Sequence, residues 1–230
     1  MSLKNSNSLL LALPRAELDW LEAKFSPISL SARDQLYEQG ELMSRVFFPT
    51  SAVISLASVV EEGGIAEVAT VGNEGVLGVP IFLGIDLAVA RSTVTVAGDA
   101  LVMPAETFKE ALSMSEALRR HVARYLYALL LQITRSGGCS AHHSLEQRCA
   151  GWLLVMLDRA QANDFPLPQE VLADALAASR PRVNKVLGAF QRTGLLTLGR
   201  ARVAIVNRKK LEQKACECYR SIRNDLAEPP

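Results

Sequence analysis

The chain has 230 residues, of which 49% are hydrophobic and 21% are charged. At about 100–200 residues per domain, this length fits one large domain or two ordinary ones, and the composition excludes a largely disordered chain. The 25 basic and 24 acidic residues leave a net charge of +1, which alone argues against a nucleic-acid-binding protein. No apolar run approaches the ~20 residues that span a bilayer, so no membrane contact is expected. Four cysteines without a CxxC pair predict a reduced, cytoplasmic chain.

The charge is distributed unevenly along the chain. Residues 1–164 contain 13 basic and 18 acidic side chains, a net charge of −5, whereas residues 165–230 contain 12 and 6, a net charge of +6. Within residues 179–214, ten side chains are basic and only Glu212 is acidic. An asymmetry of this kind indicates a basic interaction module in the last third of the chain.

The first half of the chain has the pattern of a short helix followed by many strands. A helical apolar pattern follows Pro14. From Pro27 to about Pro104, short runs of β-branched and aromatic residues alternate with glycines. The alternation within residues 92–96 is typical of a strand, and residues 61–64 have the pattern of a hairpin turn. Short strands at this spacing predict an antiparallel barrel or roll.

A long helix is predicted from about residue 115 to residue 135. Its apolar stripe recurs at helical spacing and contains Leu118, Val122, Tyr125, Leu129 and Ile133. Two interpretations stay open: the helix packs on its own domain, or it forms a dimer. The rough heptad favours dimerisation, because a long helix after a β-roll would otherwise be exposed. Residues 136–140, which include two glycines, predict a hinge after this helix.

The basic region has the pattern of a winged helix-turn-helix. Two short helices are predicted over residues 169–177 and 180–193, followed by a hairpin that turns at residues 199–202. The candidate DNA contacts are Gln169, Ser179, Arg180, Arg182, Asn184, Lys185, Arg200 and Arg202. In the major groove, arginine or lysine reads guanine and asparagine reads adenine. A solvated basic face is the alternative, but the helix spacing, the hairpin and the basic excess together favour DNA.

Residues 179–187, SRPRVNKVL, and 191–196, QRTGLL, resemble the DNA-binding helix of the CRP/FNR family of transcription regulators. Arg180 matches the guanine-reading arginine and Lys185 a second basic reader, whereas Pro181 replaces the acidic residue that reads cytosine. The resemblance covers nearly the whole chain and implies an α+β fold. Its parts are an N-terminal double-stranded, jelly-roll-like β-roll for an effector (1–114), a dimerisation helix (115–136) and a C-terminal winged helix-turn-helix (137–230).

The β-roll of this family carries a phosphate-binding cassette, and residues 75–79 and 90–94 look like its two ends. A glycine-rich turn there would expose N–H groups, and an arginine would pair with the phosphate. The candidate effector residues are Gly75, Val76, Leu77, Gly78, Arg91 and Ser92. Val76 stands where the family has the glutamate that holds the ribose, which argues against a cyclic nucleotide. A cyclic nucleotide, another small molecule or no effector all stay open, and Arg91 is alternatively structural.

The sequence predicts neither a catalytic site nor a metal site. It contains no convincing nucleophile–base pair, so the protein is not expected to be an enzyme. No cysteine precedes Cys139, which argues against an N-terminal iron–sulfur cluster. His142 and His143 are adjacent at the predicted hinge and are expected to face solvent. Cys216 and Cys218 are expected to point to different faces of a last helix over residues 209–226.

Together these patterns predict a sequence-specific transcription regulator that reads a near-palindromic operator as a homodimer under effector control. Its expected partners are double-stranded DNA and a second copy of the chain, with RNA polymerase as a further candidate. One alternative is an effector-free, constitutive DNA binder. Another is a ligand-binding or protein-interaction module whose basic part contacts acidic protein.

Overall fold

The computed structural model of the protein describes residues 7–61, 64–160 and 162–227. Glu62 and Gly63, which belong to the predicted hairpin turn, lie outside these residues. Within the described part of the chain, no helix is long and apolar enough to cross a membrane.

The N-terminal part is a roll of two antiparallel sheets. Two helices, α1 (Ser8–Leu11) and α2 (Arg15–Glu22), precede it. The strands are β1 (Ser26–Leu30), β2 (Gln35–Tyr37), β3 (Arg45–Pro49), β4 (Val53–Val59), β5 (Ile65–Val71), β6 (Arg91–Val96) and β7 (Gly98–Pro104), with helix α3 (Val79–Phe82) between β5 and β6. One sheet has the order β1-β7-β3 and the other β2-β6-β4-β5. Apolar residues at alternating strand positions form the core between the sheets. In this core, Phe48 packs edge-on against Phe25 and Phe108.

Two helices follow the roll, α4 (Ala105–Met114) and the long α5 (Glu116–His142). The hydroxyl of Ser115 caps α5 by accepting a hydrogen bond from the Leu118 N–H at 2.9 Å. One face of α5 lies on the roll, and its buried apolar side chains belong to the core of the roll.

The predicted hinge at the glycines is wrong, because α5 continues through Gly137 and Gly138 to His142. Neither glycine has a positive φ, so both keep the helical backbone. A glycine costs a helix only about 1 kcal/mol relative to alanine, which the packing of neighbouring turns offsets. The chain instead turns at His143, which has an extended backbone. The proposed division into three domains stays a prediction.

The C-terminal part begins with α6 (Leu145–Ala160) and has its own core. The elements that follow are β8 (Asp164–Pro166), α7 (Gln169–Ala175), α8 (Arg180–Arg192), β9 (Leu196–Gly199), β10 (Arg202–Ile205), α9 (Arg208–Lys214) and α10 (Glu217–Ala227). The three strands form an antiparallel sheet in the order β8-β10-β9. Phe165 and Phe190 are buried at the centre of this second core. The predicted single last helix is two helices, since the chain is extended at Ala215 and α10 begins only at Glu217.

The C-terminal part packs back onto the roll and onto α5 through buried polar contacts. Arg159 of α6 is 4% exposed, and its guanidinium pairs with the carboxylate of Glu74 at 2.9 Å. It also donates to Gln132 of α5 at 3.2 Å. The indole N–H of Trp152 donates to Glu67 of β5 at 2.7 Å. These contacts set the orientation of the C-terminal part relative to the roll in this structure.

Candidate functional site

Helices α7 and α8 form a helix-turn-helix. The turn between them is closed by the N–H of Ala178, which donates to the carbonyl of Ala173 at 2.9 Å. Ser179 is the N-cap of α8, as predicted, although its side chain makes no capping hydrogen bond. Pro181 lies in the first turn, where its missing N–H is not needed. The sequence therefore determines where the second helix begins.

The buried face of α8 fixes which side chains point outward. Val183, Leu187 and Phe190 are at most 2% exposed and pack into the second core. The predicted DNA contacts at the start of α8 are all exposed: Ser179, Arg180, Arg182, Asn184 and Lys185. Gln169 is exposed at the start of α7. This arrangement presents three cations and one amide at the N-terminal end of α8, where the helix dipole also favours phosphate.

The predicted wing is the hairpin of β9 and β10. Arg200 lies in its turn and is exposed, next to Ala201, whose φ is +54°. Arg202 lies at the start of β10 and makes two contacts with Asp164 of β8, at 3.1 and 3.0 Å. Arg200 therefore keeps a guanidinium for an outside partner, whereas the charge of Arg202 is partly neutralised within the domain.

Arg180, the first residue of α8, also takes part in a contact with the roll. Its guanidinium lies 3.1 Å from one carboxylate oxygen of Glu170 on α7, and the other oxygen of Glu170 pairs with Arg33 of the roll. These residues border a cavity of about 350 Å³ that Arg91 also lines. The predicted base-reading arginine is thus linked to the roll through one glutamate.

In the predicted glycine-rich turn of the effector cassette, two N–H groups are already paired within the chain. The N–H of Gly75 donates to the Gly72 carbonyl at 3.1 Å, and the N–H of Leu77 donates to the Phe47 carbonyl at 2.8 Å. Val76 is 1% exposed and Leu77 is 5% exposed. Gly75 packs so closely against α5 that an added Cβ would lie 2.1 Å from the ring of Tyr125. Packing, rather than ligand binding, explains this glycine.

The other predicted cassette end is also engaged. The Nε of Arg91 donates to a carboxylate oxygen of Glu38 at 3.0 Å, and Ser92 is buried in β6. Arg91 borders the cavity beside Glu170. The structure also describes the residues of the other cassette end, but none of them lines this cavity: Gly75, Val76, Leu77 and Gly78. The expectation that the two ends form one phosphate pocket is not met in this conformation.

The predicted dimerisation stripe is mostly buried within its own chain. Leu118, Val122, Tyr125 and Leu129 are at most 7% exposed, because they pack on the roll, and only Ile133 reaches 37%. The prediction that these four residues form the dimer interface is therefore wrong. They pack on their own domain, which was the alternative interpretation. The exposed face of α5 carries a second stripe that the sequence analysis missed: Ala123, Tyr127, Leu130, Thr134, Gly137 and Ala141.

Two titratable groups have environments that the sequence did not predict. The carboxyl group of Glu67 has a pKa of about 7. Burial at the contact between β5 and α6 raises this pKa, and the hydrogen bonds from Ser55 and Trp152 offset part of the rise. Cys216 lies 3.5 Å from Cys139, sulfur to sulfur, and this hydrogen bond lowers the pKa of Cys216 to about 5. Neither group has a neighbour in the sequence that signals its environment.

The expectation that Cys216 and Cys218 point to different faces of one helix is wrong, because Cys216 precedes α10. His143 is half-buried rather than solvent-exposed, whereas the adjacent His142 is exposed. Cys139, His143, Cys216 and Cys218 form one cluster in the structure.

A family model described as the Crp-like helix-turn-helix domain matches residues 147–214. No curated protein sequence matches the chain significantly. Among solved structures, the chain is similar to a CRP/FNR-family regulator from Eubacterium rectale, with 17% identity over 89% of this chain and 96% of that chain and a TM-score of 0.65. A CRP-family regulator from Thermus thermophilus is 19% identical over 82% of this chain and 96% of that chain, with a TM-score of 0.66. The c-di-GMP-responsive regulator CLP of Xanthomonas campestris is 15% identical over 84% of this chain and 99% of that chain, with a TM-score of 0.63.

The chain therefore has the fold of CRP/FNR-type transcription regulators over most of its length, with a Crp-like helix-turn-helix DNA-binding domain at residues 147–214. This confirms the predicted resemblance and fold class.

Proposed function

We propose that the protein is a sequence-specific transcription regulator that binds a near-palindromic operator as a homodimer. The observation that supports this most directly is the exposed N-terminal end of α8, where Arg180, Arg182, Asn184 and Lys185 lie close together on a helix that buries its apolar residues. Such side chains make the bidentate contacts that distinguish base pairs in the major groove. The proposed cellular location is the cytoplasm, and RNA polymerase is the further partner that transcription control would involve.

The exposed stripe of α5 supports the homodimer. Its six members are spaced alternately by four and three residues, which is the heptad spacing of a two-helix seam. Tyr127 is 48% exposed and Leu130 is 53% exposed, although both are large hydrophobic residues. Gly137 has open space around its Cβ position, so a second helix can approach closely there. We therefore assign the seam to this face of α5 and not to the buried stripe.

Replacing Leu130 by glutamate tests the seam. A charge at the centre of a helix–helix interface is costly to bury, so Leu130→Glu is expected to shift the protein from dimer to monomer in light scattering at micromolar concentration. Leu11→Glu is the matched control, because Leu11 is also 53% exposed but lies on α1. A Leu130→Glu variant that stays dimeric would assign the interface elsewhere.

The contact between Glu170, Arg33 and Arg180 supports control of DNA binding by the roll. In this conformation the proposed base-reading arginine shares a carboxylate with the roll, beside a cavity large enough for a small molecule. An effector that enters the cavity would change this contact and shift the population between docked and free α8. The paired N–H groups of the glycine turn favour the second candidate function, a constitutive DNA binder without an effector.

Selection of bound duplexes from a random DNA pool tests the function. The expected result is an inverted repeat whose half-sites are about one helical turn, or ~34 Å, apart. Affinity for that site should fall steeply with salt and exceed affinity for unrelated DNA by at least about 1,000-fold. Retention of all duplexes alike at low salt would instead favour a basic module that does not recognise an operator.

A further inference from the structure

Four potential metal ligands meet where the long helix ends. Cys139 lies in the last turn of α5, and His143 directly follows that helix. Cys216 precedes α10, and Cys218 lies in its first turn. One ligand atom from each residue lies within 4.8 Å of every other one. The two halves of the cluster are 77 residues apart in the sequence, so only the fold brings them together.

The distances in the cluster are close to those of a tetrahedral zinc site. The sulfurs of Cys139 and Cys216 are 3.5 Å apart, and the sulfur of Cys218 is 3.6 Å from Nδ1 of His143. Zn–S bonds of about 2.3 Å and Zn–N bonds of about 2.0 Å imply tetrahedral edges of roughly 3.8 Å between sulfurs and 3.6 Å from sulfur to nitrogen. The widest separation, 4.8 Å, exceeds this by about 1 Å, which side-chain rotation can close.

The surroundings of His143 match those of a metal-bound histidine. Its Nδ1 faces the cluster, while its Nε2 lies 3.3 Å from a carboxylate oxygen of Glu217. A histidine that ligates through one ring nitrogen commonly donates the other N–H to a carboxylate, which fixes the ring and raises its basicity. Glu217 lies between Cys216 and Cys218, so the residue that separates the two thiols orients the fourth ligand.

The burial of the cluster is that of a structural site. Cys216 is 5% exposed, and Cys139, Cys218 and His143 are all partly buried between α5 and α10. The cysteines are not joined by disulfides. Three sulfurs and one imidazole nitrogen complete four-coordinate zinc without an open position, so the site would not have a place for a substrate.

We propose that Cys139, His143, Cys216 and Cys218 bind one structural Zn²⁺ ion that joins the C-terminal end of α5 to the N-terminal end of α10. On binding, the three thiols lose their protons to solvent, and the imidazole binds as the neutral ring with its Nε2–H donated to Glu217. Three thiolates and Zn²⁺ leave a net charge of −1 at the site.

The position of this site gives it a structural consequence. The chain turns at His143, between α5 and the C-terminal domain. A metal ion there would hold the last helix of that domain against the end of α5, beside the ion pair of Arg135 and Asp225. The orientation of the DNA-binding domain relative to α5 would then depend on the metal.

Metal content and a cobalt spectrum test the proposal. Full-length protein purified without chelator is expected to contain one zinc per chain by elemental analysis. After the zinc is removed under reducing conditions, titration with Co²⁺ should give the intense visible bands of tetrahedral cobalt and the ultraviolet bands of thiolate ligation, saturating at one equivalent. Octahedral, weakly absorbing cobalt or a metal content below about one tenth per chain would overturn the site.

Matched variants separate ligation from a general loss of fold. His143→Gln and Cys218→Ser are expected to lose at least about nine tenths of the zinc, while far-ultraviolet circular dichroism stays unchanged. His142→Gln is the control for the histidine, since His142 is adjacent but exposed, and Cys149→Ser is the control for the cysteines. Glu217→Gln should weaken binding by about 10- to 100-fold without abolishing it. Retention of zinc by both ligand variants would contradict the assignment.

The short distance between Cys139 and Cys216 also allows a different outcome. If these two thiols form a disulfide in air and the reduced protein binds no zinc, then the cluster is a redox pair and the metal proposal fails. Counting free thiols before and after reduction, with and without added zinc, distinguishes the two results. Protection of three thiols by zinc supports the proposal.

Discussion

The two arginine-containing sites predicted from the sequence differ in how much of each is exposed in the structure. On α8, Arg182 and Lys185 are exposed next to Arg180, and the helix buries only its apolar face. In the roll, Arg91 is paired with Glu38, and the N–H groups of Gly75 and Leu77 donate to carbonyls of the same chain. The basic side chains of α8 are exposed, although Arg180 pairs with Glu170, whereas the predicted phosphate-binding turn uses the N–H groups of Gly75 and Leu77 within the roll.

The difference shows how far a local motif determines its function. A recognition helix needs one buried face and one basic face, and both are contained within 13 consecutive residues. A phosphate cradle needs free N–H groups and an arginine held opposite them, which depends on strands that are distant in sequence. Similar residues can therefore be present without forming the site.

The largest effect that would sharpen this comparison is expected from Gly75→Ala. The added Cβ would lie 2.1 Å from the ring of Tyr125, so the ring or α5 must move, and the free energy of unfolding should fall by about 3 kcal/mol. Urea denaturation without any ligand measures this. If Gly75 serves only to approach a phosphate, the unliganded protein should be as stable as the wild type.

A second substitution identifies the cause of that loss. Tyr125→Leu removes the ring atoms that face Gly75, so the double variant should be less destabilised than the sum of the two single variants. Gly188→Ala is the control, because the nearest atom to its Cβ position is the flexible end of Arg192 at 3.5 Å. It should raise stability by up to about 1 kcal/mol, since alanine favours a helix.

The next effect concerns the contact between the two regions, where Glu67 accepts a hydrogen bond from Trp152. Burial raises the pKa of Glu67 from 4.5 to about 7, so the folded state binds more protons than the unfolded state between these pH values. The contribution of Glu67 to stability should therefore be greatest below pH 4.5, fall as the pH rises to 7, and change little above it. The loss is on the order of 3 kcal/mol at most.

Glu67→Gln keeps an acceptor for Trp152 but removes the titration. Urea denaturation at pH 5 and pH 7.5 should show a smaller difference for this variant than for the wild type, whereas the exposed Glu110→Gln should behave as the wild type. In a Trp20→Phe background, the fluorescence of Trp152 should follow the same midpoint. An unchanged pH dependence in Glu67→Gln would place the titrating group elsewhere.

The sequence predicted the helix-turn-helix well because each of its signals is local. Ser179 and Pro181 mark the start of α8, and Gly194, with a φ of +70°, follows its end. The hairpin strands are adjacent in sequence, so their pairing needs no knowledge of the rest of the chain. Charge distribution then separated this region from the acidic roll.

The remaining features depend on which surfaces meet in three dimensions. The stripe containing Tyr125 has a strong helical period, but periodicity does not tell whether a roll or a second helix covers it. The less regular residues Tyr127 and Leu130 are the ones left exposed. The cluster of Cys139 and Cys216 joins segments that are 77 residues apart. The spacing of Cys216 and Cys218 predicted two faces of one helix, and this is wrong because α10 begins between the two cysteines.

A smaller effect separates the two arginines directly. Arg180→Ala is expected to weaken binding to the selected operator by about 1–3 kcal/mol and to relax the preference at one base pair, if Arg180 makes a bidentate contact with guanine. Arg91→Ala is the matched control and should leave DNA affinity within about twofold, because its partner is Glu38. Fluorescence anisotropy with operator and single-base variants measures both. Equal losses of DNA affinity in the two variants would mean that Arg180 of α8 and Arg91 of the roll contribute alike to DNA binding.

The smallest effect lies within the reader and concerns the wing. Arg200 is exposed at the hairpin turn, so Arg200→Ala should weaken binding to all sequences and reduce the slope of log K against log salt by about one unit. Arg202 already contacts Asp164 at 3.0 and 3.1 Å, and its removal should change the slope by less than half as much. Asp164→Asn should have the opposite sign, because it frees the charge of Arg202 for a phosphate and makes the slope steeper. A slope unchanged in both Arg200→Ala and Asp164→Asn would mean that the hairpin does not touch the DNA backbone, and the basic side chains of α8 would then carry the interaction alone.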